Sequence, residues 1–220
     1  MLFRSLEGVT LTVRSVERRP YTRRPAAPFM TSTLQQEASR KLRFSAQHTM
    51  RVAQRLYENG YITYMRTDST TLSESAIVAA RDQARELYGA ETVPAEPRTY
   101  NRKVKNAQEA HEAIRPAGDH FRTPDQVKNE LERDELALYD LVWKRTVASQ
   151  MADARGETVS VRLGAQASDG RDAEFSTAGT VITFRGFLHA YEEGRDEPVS
   201  GDDEEKQLPP LNEGDAVASS

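Results

Sequence analysis

Ser45-Ala46-Gln47-His48-Thr49-Met50-Arg51-Val52-Ala53-Gln54-Arg55-Leu56-Tyr57-Glu58-Asn59-Gly60 runs directly into Tyr61-Ile62-Thr63-Tyr64-Met65-Arg66-Thr67-Asp68-Ser69. The first half has the marks of a helix. The Ser45 hydroxyl is suited to accept one of the N–H groups left open in a first helical turn. Met50, Ala53, Leu56 and Tyr57 recur at helical spacing and predict a buried stripe. Gly60 ends the helix, because glycine takes the left-handed C′ conformation without a Cβ clash. The second half is short, extended and polar.

Working outward, Thr33 is placed to cap an earlier helix with Leu34, Ala38 and Leu42 on one face. Two short helices followed by an extended piece resemble a winged-helix or helix-turn-helix arrangement. A third helix is predicted from about Glu74 to Tyr88. Ser73 caps it, Ile77, Ala80, Ala84 and Leu87 line it, and Gly89 stops it. Pro94 to Gln108 reads as a surface loop. Thr123-Pro124-Asp125-Gln126 is a strong helix start, with proline at N1 and Gln126 able to close a capping box. Glu135 to Met151 is amphipathic, with Leu138, Leu141, Val142 and Val147 toward a core and Trp143 sealing that face.

Beyond this helical middle the period changes to two. Val9, Leu11 and Val13 form one row, and Val159, Val161 and Leu163 another. Phe175 marks a further short strand, and Val181 to Leu188 one more. Asp169-Gly170 is suited to a turn. Pro20 to Pro28, with prolines at 20, 25 and 28, reads as an extended crossing. The fold class is therefore α+β: a helical, winged-helix-like domain over 26–150, inserted into a β-rich domain formed by 1–25 and 151–220. The strand-like start and the end at Ala218-Ser219-Ser220 suggest a piece of a longer protein.

Composition narrows the function classes. The chain has 220 residues and no cysteine, which excludes disulfides and thiolate-held zinc or iron–sulfur centres. No stretch of about 18 apolar residues occurs, so no membrane partner is expected. The formal net charge is −4, but it is unevenly spread. Residues 1–70 hold 12 Arg and Lys against 5 Asp and Glu, whereas 192–215 hold 10 acids against 2 bases. A polyanion responds to the local field, so the acidic tail does not argue against nucleic acid.

Tyr64 and Arg66 are two apart, so on a straight strand their side chains share a face. A phenol of pKa about 10 is a poor nucleophile at neutral pH. A nearby cation favours its phenolate and offsets charge growing on a phosphate. An ordinary packed or surface tyrosine has the same sequence. Asp68 could hold Arg66 or fix a turn, and Thr67 and Ser69 could donate to phosphate or cap. Tyr57 and Tyr61 could stack on bases or pack in the core. In Ala110-His111-Glu112-Ala113-Ile114-Arg115-Pro116, His111 could bond a phosphate or move a proton. If that segment is helical, His111 and Arg115 share a face and Pro116 ends the helix. No metal-binding spacing appears. Arg18, Arg19, Arg23 and Arg24, then Arg40, Lys41 and Arg43, and Arg102, Lys103 and Lys105 are candidate phosphate contacts.

Three ordered motifs carry a resemblance. Gly60 to Ser69 looks like the active-site motif of type IA DNA topoisomerases. Pro28-Phe29-Met30-Thr31-Ser32-Thr33-Leu34-Gln35-Gln36-Glu37-Ala38 resembles the segment that precedes it in that family, and Ala110 to Pro116 its histidine segment. Met65 and the Glu-Ala-Ile-Arg-Pro form point to the bacterial topoisomerase I branch.

The resemblance implies that 26–150 is the family's domain III, and that 1–25 and 151–220 belong to the arch, domain II. It implies Tyr64 as nucleophile on single-stranded DNA, Arg66 as stabiliser of transition-state charge and His111 as the group that positions the scissile phosphate. Arg115, Asp68, Thr67, Arg40, Lys41 and Arg43 would contact DNA. Mg²⁺ would be held by a Toprim domain outside this chain, with no cofactor in the chain itself. The partners would be single-stranded and negatively supercoiled DNA, together with Toprim and domain IV parts. The setting would be cytoplasmic, at the nucleoid, and the isolated chain inactive in relaxation. The competing readings are a winged-helix nucleic-acid-binding module without catalysis, and a structural or protein-interaction domain whose acidic tail binds a basic partner.

Overall fold

Helices form where caps and apolar spacing coincide. The computed structural model describes residues 10–100, 112–166, 170–191 and 212–218. Helix α1 spans Thr31–Leu42, α2 Ala46–Glu58, α3 Glu74–Tyr88, α4 Pro124–Val127 and α5 Arg133–Ser149. Ser45 Oγ accepts the His48 N–H at 3.2 Å, and Ser73 Oγ accepts that of Ala76 at 3.3 Å. The capping box at α4 closes from both sides: Thr123 Oγ1 takes the Gln126 N–H, and Gln126 Oε1 takes that of Thr123. Helix α1 starts two residues before the expected cap, at Thr31; Thr33 Oγ1 instead reaches back to the Met30 N–H at 3.1 Å.

Gly60 does more than stop α2. At φ +76° it lets its own N–H reach the Tyr57 carbonyl at 2.9 Å, while the Tyr61 N–H reaches that of Leu56 at 2.8 Å. This doubly bonded C-terminal motif fixes the direction in which Tyr61 leaves the helix.

Helix α5 is the hub of the helical unit. Leu138, Tyr139, Leu141, Val142, Trp143, Val147 and Ala148 are all buried, as are Glu135, Arg145, Thr146 and Ser149, so it is enclosed on most sides and packs against α1, α2, α3 and α4. Two of the expected stripes shift. On α2 the buried residues are Thr49, Val52, Ala53 and Leu56, whereas Tyr57 is exposed. On α3, Ala76, Ala79, Ala80 and Ala84 face inward and Leu87 outward. In both cases the buried stripe passes to one side of the expected residue: Leu56 is buried next to exposed Tyr57, and Tyr88 is half-buried next to exposed Leu87. The stretch after α3 is no free loop as far as residue 100. The Arg81 guanidinium takes the carbonyls of Pro94, Ala95 and Glu96, and the Tyr100 hydroxyl donates to the Ser149 carbonyl at 2.9 Å. Residues 101–108 lie outside the described residues.

The strands are β1 Thr10–Arg23, β2 Ala154–Gln166, β3 Asp172–Phe184 and β4 Ala216–Ala218, in the order β3-β2-β1-β4. Strands β2 and β3 are antiparallel from Arg155↔Phe184 to Gln166↔Asp172. Phe175 and Val181 thus lie on one continuous strand. Val13, Val159 and Val161 form the apolar row of the sheet, with Val16, Leu163 and Val217 against it. Strand β1 runs on through Pro20, into the stretch expected to be a linker. The pairing of β1 with β4 covers Thr10 to Thr12, so Pro20 lies beyond that pairing. The Val181 to Leu188 stretch is not all strand: β3 ends at Phe184, and Gly186–His189 is a 3₁₀ turn entered at φ +51°.

The β2–β3 ladder shifts register between Arg155 and Gly156, where Thr183 of β3 is the extra residue. A Cβ on Gly156 would lie 2.0 Å from the Val181 carbonyl oxygen. Gly156→Ala is therefore expected to destabilise the sheet by about 1–3 kcal/mol through overpacking. Hydrogen exchange is the measurement, with protection lost at β2 and β3 amides and kept in α5; unchanged protection in the strands would contradict this.

By contact density the chain divides into two compact units. One lies within 1–23, 155–184 and 199–220 and the other within 24–154 and 185–198. Among the described residues no helix is long and apolar enough to cross a membrane.

Candidate active site on the Tyr61–Ser69 segment

Three segments distant in sequence are tied together by backbone hydrogen bonds. Phe29 bridges Ile114, with the Ile114 N–H on the Phe29 carbonyl at 2.8 Å. Ile62 bridges Pro116, with the Ala117 N–H on the Tyr61 carbonyl at 2.9 Å. Thr63 locks the crossing: its N–H donates to the Arg115 carbonyl, its hydroxyl to that of Ala113, and the Arg115 N–H returns to Thr63 Oγ1 at 3.0 Å. On the other side, the Thr31 hydroxyl donates to the Met65 carbonyl at 2.8 Å and accepts the Thr67 N–H at 2.9 Å. The 112–117 segment is thus extended, not helical, and the conditional helix shared by His111 and Arg115 does not form.

This bracing decides which side chains are offered to solvent. Ile62, Met65 and Thr67 are buried, whereas Tyr64, Arg66 and Asp68 are exposed. Among the described residues the Tyr64 hydroxyl, the Arg66 guanidinium and the Asp68 carboxylate form no hydrogen bond or ion pair. Thr67 Oγ1 accepts the Ser69 N–H at 3.1 Å, a local turn of the kind threonine favours.

The three neighbouring tyrosines differ in what holds them. The Tyr61 hydroxyl donates to Glu130 Oε2 at 2.8 Å. That bond, then burial and the carboxylate's charge, raise its pKa, so Tyr61 stays a phenol. Glu130 is held down at about 2, first by its hydrogen bonds from Arg122 and then by the one from Tyr61. Tyr57 lies in the last turn of α2, with its ring edge-on to that of Tyr64, centroids 5.3 Å apart. Tyr64 is left with a free hydroxyl on a braced backbone.

Arg115 is buried. Its guanidinium forks onto Glu112, Nε to Oε1 at 2.7 Å and Nη2 to Oε2 at 3.0 Å, while Nη1 donates to the carbonyls of Pro116 and Gly118. Glu112 also accepts the Ser73 N–H at 2.9 Å. Burial works to raise the Glu112 pKa, but the bonds from Arg115 and Ser73 outweigh it and the net shift is downward. Sequence reading passed over Glu112; its i,i+3 spacing from Arg115 was the available signal. Thr31 and Thr63 were equally silent, since nothing local marks a threonine that will bridge remote segments.

Arg40, Lys41 and Arg43 gather at the C-terminal end of α1. Arg40 lies 3.5 Å from buried Glu37, and Lys41 Nζ sits 4.4 Å over the Tyr191 ring. Arg43 is exposed at φ 60°, a non-glycine residue in the left-handed region at the helix end. His111, with Arg102, Lys103 and Lys105, lies outside the described residues. Among the described residues no three His, Cys, Asp or Glu side chains converge as a metal site. The described residues therefore offer no set that fits a Mg²⁺ ion.

The sequence pattern of the DNA topoisomerase family matches residues 1–220. The chain is 66% identical over 214 residues to DNA topoisomerase 1 of Mycolicibacterium smegmatis, covering 96% of this chain and 23% of that protein. It is 62% identical to DNA topoisomerase 1 of Streptomyces coelicolor, covering 98% of this chain and 22% of that protein. The full-length topoisomerase I of Thermotoga maritima superposes with a TM-score of 0.76 at 34% identity, over 99% of this chain and 34% of that one. The chain thus spans under a quarter of the length of these two curated relatives, and on these matches it belongs to the bacterial type IA DNA topoisomerase family.

Proposed function

We propose that this chain is the nucleophile-bearing part of an ATP-independent topoisomerase that cuts and reseals single-stranded DNA and relaxes negative supercoils. The observation that carries the reading is the bracing of three remote segments around Tyr61 to Ser69, which leaves Tyr64, Arg66 and Asp68 alone facing solvent.

Tyr64 Oη attacks a backbone phosphorus. The bond from phosphorus to the 3′ oxygen breaks, the 5′ phosphate stays on the tyrosine, and the phenolic proton ends on the released 3′-hydroxyl. Resealing is the reverse attack, so the phosphotyrosine conserves the bond energy and no ATP is consumed. Arg66, two residues along on the exposed side, offsets charge on the phosphoryl oxygens. His111 positions the scissile phosphate. Arg40, Lys41, Arg43 and Asp68 lie along the strand's path, while Thr67 and Arg115 act on DNA through the backbone they hold. Mg²⁺ would be supplied by a Toprim domain outside the chain, and no step above is routed through it. Residues 26–150 take the part of the family's winged-helix-like domain III, and 1–25 with 151–220 that of the arch. The setting is the cytoplasm, at the nucleoid.

The test is strand polarity. Single-stranded DNA labelled at either end is incubated with the chain, alone and with the Toprim domain and Mg²⁺ added, then denatured in SDS. Label should stay on the protein from the 3′ end only, and the chain alone should not relax a plasmid. Retention of the 5′ label, or relaxation by the chain alone, would contradict the reading. In the same assay Arg66→Ala should slow adduct formation about 10²–10³-fold, the usual loss for one donor to a developing oxyanion. Its thermal stability should be unchanged, because the guanidinium makes no contact among the described residues; an unaltered adduct rate would remove Arg66 from the chemistry.

A further inference from the structure

We infer that Tyr57 is a positioning residue for the Tyr64 ring, an inference that rests on the reading of Tyr64 as nucleophile. The backbone on both sides of Tyr64 is pinned by Thr63 and Thr31, but those bonds do not reach its side chain. The Tyr64 hydroxyl has no partner among the described residues and the ring is 46% exposed. An exposed tyrosine held only by its backbone samples several χ1 rotamers. The contact that limits it is Tyr57, whose ring meets that of Tyr64 at 5.3 Å and 69°, the edge-to-face geometry aromatic pairs prefer.

Tyr57 is a suitable brace. It lies in the last turn of α2, and its carbonyl accepts the Gly60 N–H in the motif that ends the helix. The two rings are therefore set in register by the same turn. Tyr57 is itself 42% exposed and its hydroxyl has no partner among the described residues, so neither core packing nor a hydrogen bond explains an aromatic residue there. Tyr61, between them, is turned away onto Glu130 and Tyr139 and cannot do the same work. The position calls for a ring and not for a hydroxyl.

The experiment compares Tyr57→Phe with Tyr57→Leu in the 220-residue chain, with the Toprim domain and Mg²⁺ added. Binding of a labelled oligonucleotide and the single-turnover rate of SDS-stable adduct formation at saturating DNA are measured separately. Tyr57→Phe should match the parent chain in both. Tyr57→Leu should form adduct about 3- to 10-fold more slowly, the rate equivalent of one edge-to-face contact, with DNA affinity within about twofold. Weaker binding with an unchanged saturated rate would overturn the inference and make Tyr57 a base-stacking platform; unchanged values for both would overturn it as well. A second readout needs no activity: the ring-proton shifts of labelled Tyr64 should move in Tyr57→Leu and stay in Tyr57→Phe. Should the parent chain itself form no adduct, the reading of Tyr64 fails, and these shifts alone decide whether Tyr57 sets its ring.

Discussion

Tyr64→Phe is expected to eliminate the covalent adduct, a loss of about 10⁴-fold or more, as for removal of other enzymic nucleophiles. The same change should leave stability within about 0.5 kcal/mol, the usual range for an exposed position. The two expectations come from one observation. The Tyr64 hydroxyl is bonded to nothing among the described residues, so its removal breaks no contact, and phenylalanine keeps the ring against Tyr57. Tyr61→Phe should do the reverse. It loses the bond to Glu130 and lowers the unfolding temperature slightly, while adduct formation persists. SDS gels and thermal unfolding of the two variants side by side make the check. Retained adduct in Tyr64→Phe would return the chain to the non-catalytic nucleic-acid-binding reading.

Arg115→Met is expected to give the largest loss of stability, about 3–5 kcal/mol, the range for removing one partner of a buried ion pair. Glu112 would keep its half-buried carboxylate without its cation, and the carbonyls of Pro116 and Gly118 would lose their donor. The sign of the pH dependence follows from Glu112. Its pKa is lowered in the folded parent chain, so its contribution to stability is present above the unfolded carboxylate value, about 4.3, and is lost as pH falls through the lower folded value. Without Arg115 the effect of burial dominates and the folded pKa rises instead. The gap between variant and parent should therefore be widest at neutral pH and shrink toward pH 3. Glu112→Gln in the Arg115→Met background should recover part of it. Urea unfolding followed at Trp143, which is buried in the same unit, gives the measurement; a pH-independent gap would mean that the pair is not coupled as described.

The elements legible in the sequence were those whose signals are local. Ser45 with Gly60, Ser73 with Gly89, and the Thr123–Gln126 box each bound a helix within a few residues, and the period-two row of Val159, Val161 and Leu163 marks one strand face. What failed depended on distant partners. Tyr57 and Leu87 sit at apolar spacing but fall on the exposed side of their helices, beside buried Leu56 and half-buried Tyr88. The spacing of His111 and Arg115 left a helix open as a condition, and Phe29 and Ile62 instead draw 112–117 out through two isolated bridges. Pro20 reads as the start of an extended crossing, yet β1 continues through it to Arg23. Of the site, the shared face of Tyr64 and Arg66 was legible from their i, i+2 spacing; the exposure of Asp68 beside them was not, since it read as a partner for Arg66 or a turn former. The threonines that brace them were not, because they act across 34 to 50 residues of chain, and the Glu112–Arg115 fork was missed although its partners are only three residues apart.

The central claim is that Tyr64, and neither neighbouring tyrosine, carries the DNA. Trypsin cutting after Arg55 and Arg66 releases Leu56 to Arg66, a single peptide that holds Tyr57, Tyr61 and Tyr64. The covalent complex, digested with trypsin and nuclease, should yield this peptide with one nucleotide remnant, and tandem mass spectrometry should localise the added mass to Tyr64. The added mass on Tyr61 or Tyr57, or on a peptide from elsewhere in the chain, would contradict the account.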